Sequence, residues 1–286
     1  MVPRIGAKVL VSWGNGPVGR PGKDVRPCQL ACQSGESQSV TSVSAYWRPA
    51  SLDEALRLLG SRRDAVVLGG GTRLSADPAP GPVEVVDLQA LRLDWIRTTG
   101  NATVRIGAMA TLQQIADSPA LPTVLREAAR RERPSTLRSQ ATLGGCVAAR
   151  EGDSELLAAL LAHDAAVNIA GRDGPARSEL AEFLADAPLD GARIITDVSA
   201  CISGSASIAR TARTRADRPI VAAVARVTAT GERRLALAGV AVTPVMVDER
   251  AGWADQLDPP GDFRGSGEYR RALAVVLASR ALGAIS

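Results

Sequence analysis

The stretch Ala65-Val-Val-Leu-Gly-Gly-Gly-Thr72 joins a short apolar run directly to three consecutive glycines. A short apolar run that ends at glycine is typical of a buried β-strand. Because glycine has no Cβ and reaches positive φ angles, the backbone amides of a glycine run can point toward one anion. The stretch therefore predicts a strand that ends in a phosphate-binding loop, with a simple tight turn as the alternative. It is neither a Walker loop nor a G-x-G-x-x-G dinucleotide fingerprint.

A second pair of glycines lies farther along the chain, in Thr142-Leu-Gly-Gly145. We interpret residues 135–145 as a second turn-rich loop, which again carries a hydroxyl side chain beside its glycines. Two such loops on one folded unit suit a ligand with a diphosphate in its middle, because each loop can hold part of the diphosphate.

Helical and strand patterns are mixed around the two glycine segments, which predicts an α+β fold. Ser51-Leu-Asp-Glu54 has the spacing of a capping box, and the helix that it begins has an apolar face formed by Leu52, Ala55, Leu56 and Leu59. The strands expected before position 187 are residues 65–68, 83–88, 93–98, 103–107 and 165–169, with a hairpin between the third and the fourth. The further helices expected there are residues 112–116, 122–133, 156–162 and 179–184.

We expect a domain boundary near Ala187-Pro188, which divides the folded chain into residues 45–187 and 188–286. Beyond the boundary, residues 193–198, 220–228 and 234–242 are expected to be strands and residues 268–282 a helix, which together predict a small sheet-plus-helix domain. Residues 1–44 lack sustained periodicity and are rich in Gly, Pro, Ser and Gln, so we expect a disordered extension or a start codon placed too far upstream.

Charge and cysteine content argue against several classes of protein. The 34 Lys and Arg and 30 Asp and Glu of the 286 residues leave a net charge of +4, and its even spread is not the pattern of a nucleic-acid-binding protein. The longest apolar run, residues 156–162, is far shorter than the roughly 20 residues of a membrane span. Four cysteines without a CxxC pair and a single histidine do not predict a metal site. The weak apolar run near the N-terminus favours a cytoplasmic location.

Seven segments form an ordered series of motifs over residues 45–286. They are Tyr46-x-Arg-Pro-Ala-Ser-Leu-Asp-Glu-Ala55, Leu68-Gly-Gly-Gly-Thr-Arg-Leu74, Ile106-Gly-Ala-Met-Ala-Thr111, Leu137-Arg-Ser-Gln-Ala-Thr-Leu-Gly-Gly-Cys-Val-Ala148, Arg213-x-x-x-Asp217, Leu235-Ala-Leu-Ala-Gly-Val-Ala-Val-Thr-Pro244 and Asp262-Phe-Arg-Gly-Ser-Gly-Glu-Tyr-Arg-Arg271. In this order they resemble the FAD-binding, medium subunit of molybdenum hydroxylases of the carbon monoxide dehydrogenase and xanthine dehydrogenase type.

The resemblance implies an FAD-binding domain of two α+β subdomains followed by a C-terminal domain. It implies an oxidoreductase subunit that takes electrons from an iron–sulfur subunit, alongside a molybdopterin-binding large subunit, and passes them through FAD to an acceptor such as NAD or a quinone. Carried over residue by residue, it implies FAD contacts at Leu68, Gly69, Gly70, Gly71, Thr72, Arg73, Leu74, Thr111, Thr142, Gly144, Gly145, Cys146, Glu155 and Ile195. No catalytic acid or base is expected, because a flavin carries the redox chemistry itself.

Some positions depart from the family pattern. Arg73 stands where the family usually has an acidic or small polar residue, and Cys146 stands where Asn or Ser is commoner. Glu155 replaces an Asp, and Arg150-Glu-Gly-Asp153 replaces a run of small residues and proline. These substitutions leave open a second interpretation, in which the chain is a flavin-deficient structural or assembly subunit of the same complex.

Overall fold

A computed structural model describes residues 42–62, 65–76, 81–100, 102–189 and 191–285. The extension expected over residues 1–44 lies almost wholly outside the described residues, as do Cys28 and Cys32. Within the described residues, no helix is both long enough and apolar enough to cross a membrane.

The first subdomain is a small parallel sheet with one long helix. Its strands are β1 (Val43–Trp47), β2 (Ala65–Leu68) and β3 (Val83–Asp87), in the order β1-β3-β2, and its helices are α1 (Leu52–Ser61) and the short α2 (Thr72–Ala76). Half of the predicted capping box of α1 is confirmed, because the Ser51 hydroxyl accepts a hydrogen bond from the Glu54 amide at 3.2 Å. The Glu54 carboxylate accepts from the Ala50 amide at 2.9 Å instead of from the Ser51 amide. The strand predicted at residues 65–68 is confirmed as β2, but its expected burial is wrong, because Val67 is exposed and its other residues are half-buried. Since β2 and β3 are parallel and Leu68 pairs with Asp87, both strands end at the same edge of the sheet.

The second subdomain is a five-stranded antiparallel sheet with helices packed on it. Its strands are β4 (Ile96–Thr99), β5 (Thr103–Gly107), β6 (Ala166–Gly171), β7 (Gly174–Glu179) and β8 (Arg193–Cys201), in the order β4-β5-β8-β6-β7. Its helices are α3 (Leu112–Asp117), α4 (Thr123–Glu132), α5 (Ser135–Arg138), α6 (Leu143–Ala149), α7 (Glu155–Ala162) and α8 (Leu180–Ala185). The predicted hairpin of β4 and β5 is confirmed. Every residue of α7 is buried, as is typical of a helix that is apolar on all sides.

Strand β8 does not lie where the sequence placed it. Residues 193–198 were expected in the C-terminal sheet, but β8 pairs with β5 and β6 in the middle of the five-stranded sheet. That prediction is wrong because an apolar strand has no local feature that selects its partner, and the pairing depends on long-range packing. We therefore propose that the domain boundary follows Cys201 instead of residue 187.

The C-terminal region contains a second antiparallel sheet and the longest described helix. The strands are β9 (Ser205–Thr211), β10 (Val221–Val227), β11 (Arg233–Ala238) and β12 (Val245–Val247), in the order β12-β11-β10-β9, and the helix is α9 (Gly267–Gly283). Successive residues of β10 alternate between two hydrophobic clusters, one that contains α7 and one that contains α9. The predicted sheet-plus-helix arrangement is confirmed. Within this sheet the sequence did not predict β9 and β12, and elsewhere it did not predict β1 and β7.

Candidate functional site

The first glycine segment, Gly69–Gly71, leaves the carboxyl end of β2 and leads into α2. Gly71 has a φ of +70°, in the left-handed region that favours glycine. The three glycines are half-buried, and none of their backbone amides donates a hydrogen bond to a described residue. Half-buried amides without a protein acceptor are available to water or to a ligand, and adjacent ones can share an anion. This segment therefore has the donors that a phosphate-binding loop requires.

The second glycine segment, Leu143–Gly145, is the first turn of α6 and not a loop. Thr142 caps the helix, since its Oγ1 accepts a hydrogen bond from the Gly145 amide at 3.2 Å. The Gly144 amide donates to the carbonyl oxygen of Ala108 at 2.8 Å, and the Leu143 amide donates to that of Ala110 at 2.9 Å. The expectation of a second turn-rich, amide-lined loop is therefore wrong, because the protein itself uses these amides.

The two glycine segments are packed against each other. A Cβ added to Gly69 would lie 2.8 Å from Thr142 Oγ1, and one added to Gly70 would lie 1.7 Å from the carbonyl oxygen of Gln140. A Cβ on Gly144 would lie 2.8 Å from the Cβ of Ala108. These positions have no room for a side chain, so close backbone packing explains the glycines there.

Two adjoining cavities lie along this contact. The smaller, of about 190 Å³, is lined by the first glycine segment, the start of α6, Arg73 and Arg133. The larger, of about 350 Å³, has a mainly apolar wall that includes Val66, Val67, Leu88, Met109, Leu189, Ile194 and Ile195. Gly69, Thr142 and Gly145 line both. The site thus has a polar, positively charged end and an apolar end, an arrangement that suits a ligand with an anionic group and a flat apolar group.

Most of the residues predicted for the site line these cavities. They are Leu68, Gly69, Gly70, Gly71, Thr72, Arg73, Leu74, Thr142, Gly144, Gly145, Cys146 and Ile195. Cys146 is buried, and burial raises the pKa of its thiol. The thiol is therefore protonated at neutral pH and contributes shape to the cavity wall, not a nucleophile.

Thr111 and Glu155 lie away from the lining of both cavities. Thr111 caps α3 through a hydrogen bond from the Gln114 amide at 3.2 Å, and it reaches the site only through a β-bridge to Thr142. The buried carboxylate of Glu155 lies 3.7 Å from Arg131 and forms an ion pair with Arg210 of β9. Burial raises the pKa of Glu155, and both arginines oppose the rise. Glu155 thus ties α7 to the C-terminal sheet and is not brought to the cavities.

Several lining residues were not predicted from the sequence. Ala108 and Met109 lie inside the motif of residues 106–111, so the pattern that identified Thr111 could also have found them. Arg133 directly follows α4 and lies about 60 residues from the first glycine segment in sequence, with no local pattern that marks it as a binding residue.

Comparisons with known proteins agree with this geometry. A family model described as the FAD binding domain in molybdopterin dehydrogenase matches residues 38–200. The chain is 32% identical over 254 residues to YgfM, an uncharacterized protein of Escherichia coli K12, which covers 82% of this chain and 93% of that protein. It is 29% identical over 147 residues to the nicotinate dehydrogenase FAD-subunit of Eubacterium barkeri, or 48% of this chain and 49% of that subunit.

A solved structure of carbon monoxide dehydrogenase from Hydrogenophaga pseudoflava contains a chain of the same fold. The superposition has a TM-score of 0.77 with 25% sequence identity, and it covers 86% of this chain and 98% of the other.

Proposed function

Since the chain belongs to the family of FAD-binding domains of molybdopterin dehydrogenases, we propose that it binds FAD within a multi-subunit molybdenum hydroxylase and passes electrons from an iron–sulfur subunit to an external acceptor. One observation carries the proposal for this chain in particular. Gly69–Gly71, whose three amides have no acceptor in the part of the chain that the structure describes, line the same cavity as Thr142.

The described residues fit a flavin dinucleotide. The amides of Gly69–Gly71 would donate to oxygens of the diphosphate, and the Thr142 hydroxyl could donate beside them. The guanidinium groups of Arg73 and Arg133 supply positive charge at the same end of the site. The apolar wall of the larger cavity would hold an aromatic ring and exclude water.

The protein contributes binding and orientation to the chemistry. Among the described residues, those that line the two cavities include no histidine and no carboxylate, and the thiol among them, Cys146, is protonated. FAD supplies the redox chemistry when bound, because a flavin accepts and releases one or two electrons. We also propose that the chain works beside an iron–sulfur subunit and a molybdopterin-binding large subunit, with NAD or a quinone as the acceptor. The similarity to a dehydrogenase FAD-subunit supports this proposal.

Titration of the full-length protein with FAD tests the proposal. We expect one flavin per chain, a visible flavin spectrum after gel filtration, and competition by ADP, which carries the diphosphate. Riboflavin, which lacks phosphate, should compete poorly. A folded protein that takes up neither FAD nor ADP would overturn the proposal and favour the flavin-deficient structural subunit.

A further inference from the structure

The carboxylate of Glu151 lies among three arginines beside the smaller cavity. Its Oε1 accepts hydrogen bonds from Arg73 Nη1 at 3.2 Å and from Arg133 Nη2 at 2.8 Å. Its Oε2 accepts from Arg133 Nη2 at 2.7 Å and also from Arg218. One oxygen of Glu151 is thus shared by the two arginines that line the cavity.

Arg73 and Arg133 approach this oxygen from different parts of the chain. Arg73 follows the first glycine segment, and 56% of its side chain is exposed. Arg133 directly follows α4, and only 20% of its side chain is exposed. Two guanidinium groups that converge on one anionic oxygen form the arrangement that phosphate groups prefer. Glu151 itself is not among the residues that line the cavity.

We propose that Arg73 and Arg133 form an anion subsite that Glu151 occupies in this structure, and that a diphosphate group displaces the carboxylate from Arg73 when it binds. The inference rests on the proposed function, and it assigns Glu151 the role of an internal competitor for the diphosphate.

Arg218 allows this exchange without leaving a carboxylate unpaired. Its guanidinium also bonds Glu132 at 2.5 Å and Asp153 at 3.1 Å, so it is held in place independently of Arg73. When Arg73 leaves, Glu151 keeps Arg218 and Arg133 as partners. Burial by itself would raise the pKa of Glu151, but Arg218 and Arg133 outweigh it and hold that pKa below its ordinary value. Glu151 therefore remains an anion at neutral pH, as a competitor must.

The Glu151→Gln variant tests the competition, with Asp153→Asn as its matched control. Both remove one carboxylate from the same network, but Asp153 contacts Arg218 and Arg264 and neither arginine of the subsite. We expect Glu151→Gln to tighten FAD and ADP binding about fivefold at low ionic strength, and Asp153→Asn to change it less than about twofold. Riboflavin binding should be the same in both variants, because riboflavin has no phosphate.

The Arg73→Gln variant is a second test that does not depend on Glu151→Gln folding, since Arg73 is largely exposed. It should weaken FAD binding about fivefold and reduce the salt dependence of binding, while Tm stays within about 1 °C. The Glu151→Gln substitution should raise FAD affinity less in the Arg73→Gln background than in the unaltered protein. The reason is that Arg73, the arginine released by the loss of the Glu151 carboxylate, is missing there.

The possible results separate this inference from the proposed function. A protein that binds FAD while Glu151→Gln weakens binding, or matches Asp153→Asn, overturns the anion subsite and leaves the proposed function standing. An Arg73→Gln variant that binds FAD as tightly as the unaltered protein also overturns the anion subsite and leaves the proposed function standing. A protein that takes up neither FAD nor ADP overturns both.

Discussion

The two glycine segments differ in what their backbone amides do, although each has paired or tripled glycines beside a threonine. In Gly69–Gly71 the amides have no acceptor among the described residues. In Leu143–Gly145 they donate to Ala110, Ala108 and Thr142. The first segment lies beyond the end of a strand, where the ladder no longer uses the amides, while the second begins a helix that is capped and packed on the chain beside it. Both segments are therefore closely packed, but only the first also leaves its amides without acceptors among the described residues.

The largest effect is expected for Gly70→Ala, because its Cβ would lie 1.7 Å from the carbonyl oxygen of Gln140. Because displacing the Gln140 backbone costs more energy than rotating a side chain would, we expect the first glycine segment to shift and its amides to be misplaced. We expect FAD affinity to fall at least about 100-fold in a titration followed by flavin fluorescence. Gly81→Ala is the control, since a Cβ there meets nothing within 4 Å. Normal FAD binding by Gly70→Ala would contradict the role of these amides.

Gly144→Ala should separate stability from binding. Its Cβ would lie 2.8 Å from Ala108 Cβ and 3.0 Å from the Ala108 carbonyl oxygen, so overpacking should lower the free energy of unfolding by about 2 kcal/mol. The amide of Gly144 already donates to Ala108, so we expect FAD affinity to change less than about tenfold in the folded variant. Urea unfolding and FAD titration give the two values. If the variant kept its stability but lost FAD, the second segment would hold the ligand through its amides after all.

Thr142→Val and Thr111→Val compare two helix caps, one inside the site and one outside it. Each substitution removes a hydroxyl that accepts from a helix amide, so each should cost about 1 kcal/mol of stability. Only Thr142 lines the cavities, so only Thr142→Val should weaken FAD binding, by about fivefold. Thr142→Ser should restore both properties. Equal loss of FAD in the two valine variants would show that the effect comes from capping alone.

The smallest effect is expected for Cys146→Ala. Because burial raises the pKa of the thiol, it stays protonated and adds no charge near the ligand from pH 7 to 9.5. We expect FAD affinity to change less than about twofold, and its pH profile over that range to match the unaltered protein. A profile that differs between the two proteins in this range would mean that Cys146 ionises beside the ligand.

Sequence patterns correctly predicted the features that depend on residues close together in the chain, such as the start and the apolar face of α1. Ser51 caps α1 because its hydroxyl reaches an amide three residues on, and the apolar stripe of that helix depends only on its spacing. Strand β9 was missed because its apolar and polar residues alternate only weakly, and its place in the sheet depends on pairing with β10. Among the site residues, Glu155 was placed by similarity, whereas its surroundings depend on Arg131 and Arg210, which are distant in sequence.

By itself, the sequence determined that strand β2 ends in three glycines, that Thr142 precedes a glycine pair, and that α7 is apolar on every side. These features depend on residue type and short-range spacing, both of which can be identified directly from the sequence. The tertiary structure alone decided which amides have no acceptor among the described residues, which sheet β8 joins, and that Arg73 and Arg133 meet at Glu151. Hydrogen-bond pairing and charge contacts depend on distances between remote segments, and packing of the whole chain is what sets those distances.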